Sequence, residues 1–411
     1  MVNKGSDETV KNTMIIEIEP AVSIPDYLVG EIQSKLAYVD EAISEAQVKP
    51  DRIVLLVRSP NLQSTGELTP AHREKIEGKV QKVVLSMAKG AIKPKVIVLE
   101  DYMDRRVPYD SDPVPELIVR GEISQEGNGM YTLGPLLAKL IDYFESRFLA
   151  LAESFEAVPY RFPTLISARQ LDKVNYFSSF PHSLTFAVHL REDLDIIDNF
   201  AGQASCDEHG LNTPPDSFAQ VQALLSPAVC YHLYFALADK PLPDGQITVT
   251  AVGNCFRYES INIASLERLW DFTMREVIFV GPKEFVLDNR ETARKRMTQV
   301  FEEIGLAYRV ESANDPFFIG EFRKQAAFQS AFQLKYEIRA SLPFKGSTLA
   351  VGSYNYHQDF FGRNFNITLP DETPAHTGCV AFGLERMAFA FLAQYGLEPS
   401  AWPNAVKDAL H

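Results

Sequence analysis

The stretch QITVTAVGNCFRYES (246–260), followed five residues later by LERLWDFTMREVIFVG (266–281), decides how this 411-residue chain is read. Both runs are rich in β-branched and aromatic residues and enclose a polar connection, so they are expected to form two strands around a loop. Alternate side chains on a strand share a face, which aligns Arg257 with Glu259 and groups Phe272, Met274 and Glu276. That face offers a cation, an acid and an aromatic plate. A guanidinium grips phosphate oxygens as a bidentate fork and a phenyl ring stacks on a purine, so the set suits a nucleoside triphosphate. Taken alone, the pattern also fits a sheet carrying a surface ion pair and a core phenylalanine.

Working outward, STLAVGSYNYH (347–357) reads as another strand, and TGCVAFGLERMAFAFLAQYG (377–396) as a short strand entering an apolar helix that ends at Gly396. Gly383-Leu384-Glu385-Arg386 would set Arg386 beside the same sheet, where arginine and a helix N-terminus both favour anions. By itself Glu-Arg on a helix is an ordinary solvated pair. Upstream, Leu133–Phe155 has apolar residues at helical spacing and leads into YRFPTLIS (160–167). Pro163 in that strand-like run suits an edge or an interface. Strands and helices alternating without regular βαβ periods favour an α+β fold with an antiparallel sheet.

The first segment alternates β-type and helical patterns: 14–19, 27–46, 52–58, 70–89 and 95–99. It reads as a small α/β domain. The proline- and aspartate-rich PYDSDPVP (108–115) looks like a linker, so the expected division is an N-terminal domain of residues 1–115 and a larger one of 116–411. No internal repeat or low-complexity tract is present.

Four cysteines without paired spacing are the usage of a reducing compartment rather than of a disulfide framework. No run approaches the ~18–20 apolar residues of a membrane span, and the polar start MVNKGSDETVKN lacks the apolar centre of a secretory signal, so the cytoplasm is the expected location. The net charge of −14 works against a polyanionic partner. It is unevenly placed: residues 1–120 hold 16 Lys/Arg against 19 Asp/Glu, the remainder 24 against 35. A long RNA wrapped on the acidic C-terminal part is therefore disfavoured.

FRYE (256–259) with its returning RLWDFTMRE (268–276), then GLER (383–386), resemble motifs 2 and 3 of the class II aminoacyl-tRNA synthetases, in that family's order. YRFPTLISARQLDKVNYFSSFP (160–181) resembles its motif 1 region, with Pro163 at the motif proline. Since that motif forms a dimer interface in the family, the resemblance implies a homodimer. A narrower resemblance, over roughly residues 120–411, is to the amino acid:carrier protein ligases, themselves similar to the catalytic core of methanogen-type seryl-tRNA synthetases. It rests on SPAVCYHLYFAL, NCFRYES, FTMRE, ANDPFF, SYNYHQDFFG and HTGCVAFGLERMAFAF.

The resemblance implies a zinc ion held by Cys230, Glu276 and Cys379, which lie 46 and 103 residues apart. Three protein ligands leave one tetrahedral position open, here for the substrate's amino group. From spacing alone, lone cysteines in apolar surroundings are inert core residues. Cys206 and His209 form a Cys-x-x-His with no second pair of ligands at finger spacing, and Cys255 is expected to pack.

The expected chemistry is ATP-dependent ligation. ATP lies bent over the sheet with Arg257 on the α-phosphate, Arg386 on the γ-phosphate and Phe272 on adenine, Glu259 and Arg268 completing the nucleotide site and magnesium bridging the phosphates. The carboxylate of a small amino acid (glycine, alanine or serine) attacks the α-phosphorus, and the aminoacyl group passes to the phosphopantetheine thiol of a carrier protein. A tRNA 3′ end is the alternative acceptor, and a catalytically silent synthetase paralogue the alternative class. Two features depart from the pattern: Cys379 and Ala381 stand where ordinary synthetases have motif 3 glycines, and residues 1–115 match no part of the carrier protein ligases.

Overall fold

Alternation of buried and exposed residues builds the first unit of the computed structural model, which describes residues 13–58 and 69–410 apart from 92, 94, 208–209, 264 and 316–332. The polar start, His209 and residues 316–318 of ANDPFF lie outside the described residues. Strand Thr13–Ile18 (β1), helix Val29–Leu36 (α1), strands Ile43–Lys49 (β2) and Arg52–Arg58 (β3), and helix Pro70–Ala88 (α2) form a three-stranded antiparallel sheet, order β1-β3-β2, under two helices. Ile16, Ile53, Leu55 and Val57 face α1 through Ile32 and Leu36 and α2 through Ile76, Val80 and Val84. Pro70 opens α2, and the Thr69 side chain caps it by accepting from the His72 N–H at 3.2 Å.

Two expectations change here. The helical pattern expected over 27–46 ends at Leu36, because Ala46 and Val48 alternate with Glu45, Gln47 and Lys49 and so bury one face of β2. The run at 95–99 does not belong to the small unit either: Val98–Asp101 (β4) is an edge strand of the large sheet, paired with residues 309–311. The first core therefore closes with α2. PYDSDPVP packs on the C-terminal helix instead, with the Tyr109 N–H donating to Gln394 O at 3.1 Å.

The large sheet has eight strands. In chain order these are β4, Val158–Pro159 (β5), Ile247–Phe256 (β6), Asp271–Gly281 (β7), Tyr308–Ser312 (β8), Lys335–Leu342 (β9), Ser347–Gln358 (β10) and His376–Gly383 (β11). Their spatial order is β4-β8-β9-β10-β11-β7-β6-β5, antiparallel throughout except for the parallel β6–β5 pair. The expected strand pair is present, with Phe272 opposite Cys255 and Met274 opposite Gly253.

Helices Pro135–Glu153 (α3), Lys283–Glu303 (α5) and Leu384–Tyr395 (α7) cover one face. Val277, Phe279, Val380 and Phe382 point into that core, where the Phe148 ring stacks on Phe382 at 3.9 Å between centroids. Arg275, 6% exposed, ties α3 to this face by pairing with Glu145 and donating to Thr250 Oγ1 at 3.1 Å. Helix α7 ends at Gly396, whose φ of +69° is available to glycine without a Cβ penalty. The residues between these on β7 and β11, Met274, Glu276, Ile278, Cys379 and Ala381, face the other way. That second face carries the candidate site.

Candidate active site

A cleft of about 990 Å³ opens on this face, lined among others by Cys230, Arg257, Met274, Glu276, Asn355 and Cys379. Cys230 is the first residue of helix Cys230–Ala236 (α4), Glu276 lies in the middle of β7, and Cys379 lies on β11 opposite Ile278. Glu276 and Cys379 are thus diagonal neighbours on adjacent strands, and α4 brings Cys230 over them. The two sulfurs and one Glu276 carboxylate oxygen lie within 4.8 Å of one another, in residues 5%, 1% and 3% exposed in chain order.

Glu276 Oε1 accepts the Val229 N–H at 3.2 Å, while Oε2 is buried with no hydrogen-bond partner. Burial pushes the Glu276 carboxyl up from its ordinary range, and hydrogen bonding to Cys379 together with burial pushes the Cys230 thiol well up. Two thiols and a carboxyl turned toward one another with an orphaned oxygen are costly to bury without a cation. Two soft sulfur donors and one carboxylate match the ligand preference of zinc, and three protein ligands are the number found at substrate-accessible zinc sites. The donors present fit that ion.

Two further side chains, outside the residues expected from sequence, support this trio. Asn355 Nδ2 donates to Cys379 Sγ at 3.4 Å and to Ser353 Oγ at 2.9 Å, and His357 Nε2 lies 3.9 Å from the same sulfur. Thr377 Oγ1 at 3.1 Å and Tyr234 OH at 3.3 Å hold the other imidazole nitrogen, and burial lowers His357 to about 4, keeping it neutral. The alternation of SYNYH, which aligns Ser353, Asn355 and His357 on one face, was the signal available for them.

Beside the trio, the arginines gather. Strand β6 ends at Phe256, so Arg257 and Glu259 leave the alternation expected for them: the Arg257 N–H still donates to Trp270 O at 2.9 Å, while Glu259 O accepts from the Asn262 N–H at 3.0 Å in a turn. Arg257 Nε donates to Pro227 O at 3.0 Å, and its guanidinium lies 5.4 Å from the centre of the Phe272 ring. Glu259 pairs with Arg268. Its carboxyl, which burial alone would raise, is held below the ordinary range by Arg268, Arg386 and Arg257. The five residues expected at the nucleotide thus share one region, with three cations around Glu259 and an aromatic ring at the side.

Glu385 shows how Arg386 is set there. Both of its carboxylate oxygens accept the Thr273 N–H at 2.9 Å, pinning the first turn of α7 to β7. Cys255 is fully buried against Met274 and Ala381, the packing role expected of it. Cys206 is exposed. Pro163 sits in the exposed connection between Val158–Pro159 and Leu165–Ser167. Among the described residues no helix is long and apolar enough to cross a membrane.

Residues 223–395 match the family described as the tRNA synthetase class II core domain (G, H, P, S and T). The chain is 34% identical over 305 residues to amino acid–[acyl-carrier-protein] ligase 1 of Bradyrhizobium diazoefficiens, spanning 74% of this chain and 91% of that protein. It is 28% identical over 331 residues to the type-2 serine–tRNA ligase of Methanococcus aeolicus, spanning 78% of this chain and 63% of that one. In fold it is similar to the M. kandleri SerRS crystallised with A. aeolicus tRNASec, with a TM-score of 0.69 at 20% identity over 97% of this chain and 77% of that one. With its antiparallel sheet, its motif residues and a relative matched over nine-tenths of its length, the chain belongs to the amino acid–[acyl-carrier-protein] ligase family, built on the class II tRNA synthetase core.

Proposed function

We propose that the protein activates a small amino acid (glycine, alanine or serine) with ATP as its aminoacyl-adenylate and passes the aminoacyl group to the phosphopantetheine thiol of a carrier protein. The observation that carries this reading is the buried Cys230–Glu276–Cys379 trio opening into the same cleft as Arg257. Arg257 meets the α-phosphate, Phe272 stacks on adenine, Arg386 neutralises the γ-phosphate, and Glu259 with Arg268 completes the nucleotide side. Magnesium accompanies the triphosphate. The amino acid carboxylate is already a nucleophile at neutral pH, so no general base is required. Rate comes from holding the reactants in line and from cations aimed at charge that develops on phosphate. Cys230, Glu276 and Cys379 would hold zinc, a Lewis acid able to take a neutral amine and so to prefer substrates with a free amino group. The carrier's sulfur then displaces AMP from the acyl carbon, giving a thioester. The protein acts in the cytoplasm as a homodimer with Pro163 at its interface.

Amino-acid-dependent exchange of pyrophosphate into ATP, run with zinc-loaded and chelator-treated protein, tests activation. Labelling of a holo carrier protein but not its apo form tests the acceptor. Ribonuclease-sensitive labelling of tRNA instead would overturn the carrier assignment, and no exchange with any common amino acid would overturn activation.

A further inference from the structure

We propose that the N-terminal unit forms part of the nucleotide site, with Lys35 and the Ser34–Asn262 hydrogen bond positioning Glu259 and Arg268. The inference rests on the reading that this face of the sheet takes ATP.

Residues 257–270 join the strands that carry the nucleotide residues, and the end of α1 meets this connection directly. Asn262 Nδ2 donates to Ser34 O at 2.9 Å. Two residues past α1, the Tyr38 side chain is hydrogen-bonded with that of Asn262, and its ring meets His182 edge-on at 4.9 Å. Between these contacts lies Lys35, only 2% exposed.

A buried ammonium is costly unless acids face it. Those interacting with Lys35 are Glu31, one turn earlier on the same helix, and Glu259 of the connection. Since Glu259 also pairs with Arg268, and Arg268 interacts with Glu31, the charges alternate in sign between α1 and the connection. Glu259 interacts with all three of Arg257, Arg268 and Arg386. Its placement therefore sets how much positive field those arginines keep for an incoming triphosphate. Lys35 adds a buried positive charge that interacts with Glu259 from the α1 side. Lys35 and Asn262 are thus positioning residues that act through Glu259 and Arg268 without touching substrate.

The test uses the full chain and two readouts, ATP binding by calorimetry in the presence of magnesium and steady-state pyrophosphate exchange. Lys35→Met and Asn262→Ala are each expected to raise the Kd and KM for ATP about fivefold, as removal of one hydrogen bond or ion contact does. Both kcat and the amino acid KM should stay within about twofold, and Lys35→Arg should restore ATP affinity. If Lys35→Met fails to fold, Asn262→Ala carries the test, because it removes only the side-chain contacts to Ser34 O and Tyr38 from a partly exposed residue. An unchanged ATP Kd in the folded variants overturns the proposal, as does an equal rise in the amino acid KM, which would mark general loosening. A parent chain that binds no ATP overturns the underlying reading of the site, and this inference with it.

Discussion

Glu276→Gln separates a metal-binding trio from a merely packed one. Glutamine fills the volume of this 1%-exposed side chain and can still accept the Val229 N–H, so the fold is retained. What it loses is the anionic oxygen that the structure leaves buried without a partner. In the parent, zinc at a thousandfold excess over its Kd adds about 4 kcal/mol to folding. Divided by an unfolding entropy of about 2.1 cal/mol/K per residue over roughly 300 residues of the catalytic unit, that is a shift near 6 °C. The assay is metal content by plasma mass spectrometry after dialysis, with melting followed with and without chelator. The parent should hold close to one zinc per chain and melt about 6 °C lower once stripped. Glu276→Gln should hold little zinc, be indifferent to chelator, and melt no lower than the stripped parent, because it no longer buries an unpartnered carboxyl oxygen. A full equivalent of zinc in the variant would refute the reasoning. So would a zinc-free parent whose melting ignores chelation, since the trio would then be two thiols and a neutral carboxyl in van der Waals contact.

Phe148→Ala removes a ring stacked on Phe382 in the core behind the sheet and should cost about 3–5 kcal/mol, read as a lower denaturant midpoint for the catalytic unit. A loss below 1 kcal/mol would mean that the helices repack freely. Arg257→Lys keeps the charge but not the planar fork, and should lower kcat/KM for ATP in pyrophosphate exchange about a hundredfold; a change under threefold would remove Arg257 from the phosphate. His182, which burial lowers to about 4, is neutral in the folded protein at pH values where the unfolded chain takes up a proton. Its contribution is therefore complete above pH ~6.5 and is lost as the pH falls from there toward 4, by up to about 3 kcal/mol. His182→Gln should flatten that part of the melting profile, and an unaltered acid limb would refute the assignment.

Local periodicity made much of the fold legible. The β6–β7 pair, the passage from β11 into α7 and its stop at Gly396 all follow from patterns contained within some 20 to 35 residues. The trio was legible only through long irregular strings shared with a known family, because Cys230, Glu276 and Cys379 come together through pairings that no spacing rule encodes. The place of strand β4 is not legible for the same reason: its partner strand begins at Tyr308, and nothing in Val98–Asp101 names it. The end of β6 at Phe256 was hidden too, since Arg257 and Glu259 continue the alternating pattern in sequence while the backbone turns. Alternation places a residue on a face. Which other segment meets that face is decided by the tertiary fold.

Strand β4 also decides where this chain can be cut. It is only four residues long and carries Glu100 and Asp101, features that discourage another chain from adding to its outer side. Its inner side occupies the backbone groups of β8, and Glu100 also pairs with Arg294 and accepts from Tyr308 OH at 2.6 Å. A fragment starting at 116 would leave β8 as an open template for intermolecular strand addition, with Arg294 deprived of one acid. Such a fragment should precipitate or assemble into higher species, whereas one starting just ahead of Ile97 keeps the guard strand in place.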